Sequence, residues 1–201
     1  MVAPQLWKEP RRDDNGINKF STPTNGFIKL NFDGASKGNP GPAGIGGLCR
    51  DDQGRTRWIY ADNGGIMSNN EAELMVVRQG LKIAIRNGYN KLEVEGDSLM
   101  VIQALRKLND GTSWDKLSRS WRTSSLIQEL ASILGRFDYL IIRHARREAN
   151  KAADFLANWG CQELREKMDN IWMTHVGDSR FEQLSRILDL DNREDTMQRR
   201  L

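Results

Sequence analysis

Four acidic residues, Asp33, Glu73, Asp97 and Asp154, stand in four separate local contexts where a carboxylate could grip a cation. Asp33 follows the run Phe27-Ile-Lys-Leu-Asn-Phe32, and Asp97 follows Lys91-Leu-Glu-Val-Glu-Gly96; both runs read as strands. Glu73 and Asp154 fall inside stretches with helical spacing of apolar residues. Strand ends and helices hold a side chain firmly, and carboxylate oxygens are the hard ligands that magnesium-like ions prefer. Metal-assisted chemistry on phosphodiesters draws on such clusters. A single carboxylate is more often a solvated surface group, so the argument rests on the four converging.

The elements that must position them follow from periodicity. From Phe27, apolar and polar residues alternate as in a strand with one buried face. The segment Gly34 to Gly47, with Pro40 and Pro42, cannot be helical and reads as a tight turn entering a second strand, Ala43 to Arg50. Asp51-Asp-Gln-Gly54 signals a hairpin into a third strand, Arg57 to Asn63. Leu74, Val77, Leu81, Ala84 and Ile85 then mark an amphipathic helix over 71–87, closed by Asn87-Gly88. A strand at 91–95, helices at 98–108 and 120–134, a strand at 137–143 and a helix at 149–166 complete the order β-β-β-α-β-α-α-β-α. Three opening strands can form an antiparallel meander, and later strands joined by helices can add in parallel. The expected fold is α/β, a five-stranded mixed sheet with helices on its faces.

Composition is compatible with that fold and narrows the setting. The 201 residues are 38% hydrophobic and 28% charged, with a net charge of +3, which permits a nucleic-acid partner without demanding one. Cys49 and Cys161 are far apart and lack zinc or disulfide spacing. No apolar run approaches the length of a membrane span. The expectation is an intracellular protein, whether nuclear, cytoplasmic or organellar, that binds no membrane and no small-molecule cofactor. Residues 1–26 read as a flexible extension, 27–166 as the domain, and 167–201 as a second extension. Phe181, Leu184, Ile187, Leu188 and Leu190 there suggest one short amphipathic helix, which we expect the domain's activity not to require.

The motifs Asp33-Gly-Ala-Ser-Lys-Gly-Asn-Pro-Gly41, Asn69-Asn-Glu-Ala-Glu-Leu74, Glu95-Gly-Asp-Ser98 and His144-Ala-Arg-Arg-Glu-Ala-Asn-Lys-Ala-Ala-Asp-Phe-Leu-Ala157 come in this order. Together they resemble the type 1 ribonuclease H family, nearest by pattern to the ribonuclease-H-like domains linked to plant reverse transcriptases. The resemblance covers roughly 27–162. It implies a ribonuclease-H-like fold and endonucleolytic hydrolysis of the RNA strand of RNA/DNA hybrids; the expected state of the chain is a monomer. It also implies two Mg2+ ions, or Mn2+, held by Asp33, Glu73, Asp97 and Asp154. Glu71 competes with Glu73, since two residues apart on a helix face different ways. The family places its ligand directly before Leu74, which favours Glu73.

By the same resemblance His144 assists catalysis by moving a proton or releasing product, a task that suits imidazole. The bland alternative is a surface histidine at a strand end. Gly34, Ser36, Asn39, Asn69, Asn70 and Ser98 match substrate-contacting positions. Yet Asn39-Pro-Gly41 is also simply a turn, and Asn69-Asn70 could cap a helix. Arg106, Lys107, Lys116, Arg119 and Arg122, with Trp114 and Trp121 among them, suit a nucleic-acid backbone or a solvated helix face. Arg143, Arg146, Arg147 and Lys151 form a second basic group, expected to meet phosphate. Two alternatives share the motifs: a hybrid-binding module that does not cut, and a ribonuclease H fragment of a retroelement polyprotein.

Overall fold

The computed structural model describes residues 19–117, 120–163 and 182–199. A five-stranded sheet has the order β3-β2-β1-β4-β5. Its strands are β1 (Ile28–Ser36), β2 (Gly41–Arg50), β3 (Thr56–Met67), β4 (Lys91–Gly96) and β5 (Tyr139–His144). β1, β2 and β3 form the antiparallel meander, and β4 and β5 add in parallel to β1. Among the described residues the helices are α1 (Asn69–Arg86), α2 (Leu99–Asn109), α3 (Trp121–Leu134), α4 (Lys151–Glu163) and α5 (Glu182–Arg199). The expected order of elements is the observed one.

α1, α2 and α3 cover one face, where Leu30, Phe32, Val94, Leu74, Val77, Leu81, Ile102, Leu105 and Leu130 form the main core. α4 covers the other face over β1, β2 and β3, burying Leu48, Ile59, Ala61, Ala153 and Leu156. β1 differs from the expected one-faced strand. Its second face carries Lys29, Asn31 and Asp33, at 0%, 1% and 6% exposure. As the central strand between two helical layers it is buried on both sides. Lys29 can be buried because its ammonium lies 2.7 Å from Glu95 and 3.8 Å from Glu93.

Terminal segments close this charged face. Residues 19–26 fell within the expected tether, but Phe20 is buried and the Arg50 guanidinium stacks 3.5 Å from its ring centroid. Lys29 Nζ donates to the Ser21 carbonyl at 2.7 Å, and the Thr24 amide donates to Glu93 at 2.8 Å. Residues 1–18 lie outside the described residues. α5 is longer than the expected short helix, at 18 residues. It seats Leu184 in the α4-side core and pairs Asp191 with buried Arg50 at 2.8 Å.

Candidate active site

The site lies where β1 and β4 part. Their ladder ends at Asn31↔Glu95, so Asp33 and Asp97, each two residues further on, meet beyond the last paired position. α1 reaches the same point because Gly34 has no side chain. A Cβ there would stand 2.6 Å from the Ala72 carbonyl carbon and 2.6 Å from the Glu73 amide nitrogen. One carboxylate oxygen from each of Asp33, Glu73 and Asp97 lies within 4.8 Å of the others. Three like charges in a partly dehydrated corner cannot all stay ionised. Burial, then the charges of Asp97 and Asp154, push Asp33 up to about 8. Burial, then the charges of Asp33 and Asp97, push Glu73 up to about 9. The Glu73 Oε2 atom is buried with no hydrogen-bond partner.

Asp154 is in the first turn of α4, close enough to Asp33 to raise its proton affinity, but its carboxylate is held by the Arg147 guanidinium at 2.8 Å. It lies outside the three-residue cluster. His144 is the last residue of β5, paired with Gly96. Its Nε2 lies 2.9 Å from the Asp97 carbonyl. A carbonyl only accepts, so Nε2 carries the proton and Nδ1 is the basic nitrogen of the neutral ring.

Glu71 takes no part in the cluster. It accepts from the Ser68 amide at 2.8 Å and the Ser68 hydroxyl at 2.7 Å, closing a capping box at the start of α1. These hydrogen bonds hold its carboxyl below the ordinary range. The helix cap is therefore Ser68, not Asn69 or Asn70, and the Ser-x-x-Glu spacing at 68–71 was its signal.

Of the expected substrate-contacting residues, Asn69 and Asn70 are exposed on the first turn of α1. The Asn39 Oδ1 accepts the Asn69 amide at 3.2 Å, tying the β1–β2 turn to α1. Ser98 caps α2 through its carbonyl, and its hydroxyl makes no cap bond. Gly34 is half-buried against α1. Ser36 is occupied elsewhere: its hydroxyl lies 2.6 Å from the Gly38 carbonyl and 2.8 Å from the Met67 carbonyl. A groove of about 620 Å3 begins at Asn70 and Glu71 and runs past Met100 to Lys107, Lys116 and Arg122.

The basic groups divide. Arg147 meets the site through Asp154, but Arg143 does not. As alternate residues of a strand point to opposite faces, its guanidinium turns to the buried face and meets Glu93 at 2.8 Å. Arg106 donates to the Ile142 carbonyl at 3.0 Å, and Trp114 packs against the core. Arg119 and the Trp121 side chain lie outside what is described.

Residues 31–160 match the model of the reverse transcriptase-like family. The chain is 37% identical over 139 residues to the Arabidopsis thaliana protein "Putative ribonuclease H protein At1g65750", covering 69% of this chain and 21% of that one. It is 33% identical over 133 residues to ribonuclease HI of Halobacterium salinarum, covering 66% of this chain and 63% of that one. The chain thus spans less than two thirds of either relative's length. The crystal structure of LC11-RNase H1 in complex with an RNA/DNA hybrid superimposes with a TM-score of 0.58 at 27% identity, over 67% of this chain and 96% of that one. Sheet order, motif order and these similarities agree: the chain belongs to the reverse transcriptase-like, ribonuclease-H-like family.

Proposed function

We propose that this chain is an endonuclease that hydrolyses the RNA strand of RNA/DNA hybrids with the help of two divalent ions, Mg2+ or Mn2+. One observation carries this reading: Asp33, Glu73 and Asp97 converge within 4.8 Å, and the crowding and burial raise the proton affinity of Asp33 and Glu73. The donor set fits a hard cation, being all carboxylate and including a buried Glu73 oxygen without a partner. Asp33, Glu73 and Asp97 would hold the ions, joined by Asp154. Bound divalent ions supply an activated water and stabilise charge on the phosphate oxygens.

The chain's own residues do the rest. Asn39, bonded to Asn69, together with Asn70 and Ser98, near Glu73 and Asp97 in the chain, carries groups that can donate and accept, which suits the 2′-hydroxyls and base edges of a shallow minor groove. Lys107, Lys116 and Arg122 offer the groove's positive charge to a phosphate backbone. Nδ1 of His144 accepts or passes a proton beside Asp97. The similarity to a ribonuclease H crystallised with a hybrid supports the choice of substrate.

The test is cleavage of an end-labelled RNA/DNA hybrid with Mg2+ and with Mn2+, wild type beside Asp33→Asn. Internal cuts in the RNA strand that vanish in the variant establish the activity. A second reading, a module that binds hybrids without cutting, is favoured by the Arg147–Asp154 pair, which withholds the fourth carboxylate. Hybrid binding by a folded wild type that leaves the RNA intact would select it. Restored cutting in Arg147→Ala would then identify the guanidinium as the cause.

A further inference from the structure

We infer that Asn150 is a positioning residue that fixes the Asp33 and Asp154 carboxylates relative to one another. The inference rests on the hydrolase reading for its catalytic consequence alone. β1 loses its β4 partner after Asn31. The next carbonyl, that of Phe32, belongs to the peptide that carries Asp33, and it accepts a hydrogen bond from Asn150 Nδ2 at 2.9 Å. The backbone carbonyl of Asn150 in turn accepts the amide of Asp154 at 3.0 Å. That second bond is the ordinary opening bond of α4, so it is the Asn150 side chain that ties the start of the helix bearing Asp154 to the peptide bearing Asp33. The orientation of its amide is fixed, because a carbonyl partner requires the NH2 end.

Apolar packing does not call for an asparagine here. Asn150 is 1% exposed, and its Oδ1 is buried without a partner. A half-satisfied buried amide is costly, whereas neighbouring Ala149, Ala152 and Ala153 are buried without any such cost. The side chain touches neither a titrating oxygen nor the groove; it acts through the two backbones it joins. Losing it lets the end of β1 and the first turn of α4 shift, and displacements of about 1 Å at such a centre carry large penalties.

The experiment compares the full chain with Asn150→Ala, Asn150→Asp and a core control away from the site, Leu130→Ala. Three quantities are read: the thermal midpoint, the calorimetric affinity of the free protein for Mn2+, and kcat and KM on a hybrid. We expect both Asn150 variants to lose about 10–100-fold across Mn2+ affinity and kcat, the range for residues that support metal ligands, with KM nearly unchanged. Leu130→Ala should lose more stability and keep both. The inference is overturned if folded Asn150 variants keep wild-type Mn2+ affinity and kcat, or if they fall no further than Leu130→Ala. It is equally overturned if neither Asn150 variant folds, since the residue would then be structural. Should the wild type not cut hybrids, the hydrolase reading fails, and the Mn2+ arm still decides the role of Asn150.

Discussion

Asp33 and Asp97, carried by strands that part after Asn31 and Glu95, bring carboxylate oxygens within 4.8 Å of one another, and the Asp97 charge helps raise the proton affinity of Asp33. Carboxylates this close repel one another, a proton on Asp33 relieves the repulsion, and a cation competes with that proton. In the unfolded chain Asp33 and Glu73 ionise near 3.8 and 4.5, but folded they hold protons to about 8 and about 9. Between those limits the native state binds more protons, so metal-free stability falls as pH rises through that window. Divalent ions bind the deprotonated oxygens, so their stabilisation grows in the same direction. Melting with and without Mg2+ should show a larger upward shift at about pH 8.5 than at about pH 6. Equal shifts at both would remove this cluster as a cation site.

Neutralising one member should separate activity from stability. Asp33→Asn, Glu73→Gln, Asp97→Asn and Asp154→Asn are each expected to lose activity on the order of 10²-fold or more. Without metal, Asp33→Asn should melt higher than wild type at alkaline pH, because it removes one of the repelling charges. His144→Ala should cost at most the 10²–10⁴-fold of a general acid–base group. Glu71→Ala should cost stability instead, about 0.5–2 kcal/mol for a broken cap, with kcat preserved. Kinetics and melting of the set read both quantities; a Glu73→Gln enzyme as fast as wild type would exclude that carboxylate from the site.

Element order and the candidate acids were legible because they leave local marks. Alternation gave β1, three-and-four spacing gave α1, and Asn87-Gly88 marked its end. That Glu71 and Glu73 face different ways was legible from helical direction, and the structure turns them apart; the preference for Glu73 as ligand came from the family pattern. Three features were not legible. Lys29 in a buried row depends on Glu93 and Glu95, more than sixty residues away, and a lone lysine in an alternating strand reads as a solvent face. Arg143 looked like part of a basic patch because sequence proximity does not reveal which face of a strand a side chain takes. Asn150 left no mark at all, since its partner, the Phe32 carbonyl, is 118 positions distant.

Gly34 is the steric condition for bringing α1 to the carboxylates. A methyl group there would overlap the backbone of Ala72 and Glu73 at 2.6 Å, and helix backbone cannot step aside as a flexible side chain can. Gly34→Ala is therefore expected to cost about 1–3 kcal/mol, typical of overpacking, and to weaken cation binding by moving Glu73 outward. Chemical denaturation and Mn2+ calorimetry measure the two effects. A variant with unaltered stability would show that α1 stands further from β1 than the structure places it.

The C-terminal helix should prove more than an appendage, contrary to the expectation that cleavage is indifferent to it. Deleting residues 170–201 removes Asp191, the partner of an Arg50 that is 1% exposed, and uncovers Leu48, Ile59 and Leu156 around the place of Leu184. Stranding one half of a buried ion pair costs about 3–5 kcal/mol, a large part of the stability of a small domain. Asp191→Ala should reproduce most of that loss, and Arg50→Met combined with Asp191→Leu should recover part of it, because neither charge is then left alone. Phe20 stacks on the same guanidinium, so loss of α5 should also loosen residues 19–26, seen as faster amide exchange at Thr24. A truncated chain that melts with the full-length protein would show that α5 rests on the domain without supporting it.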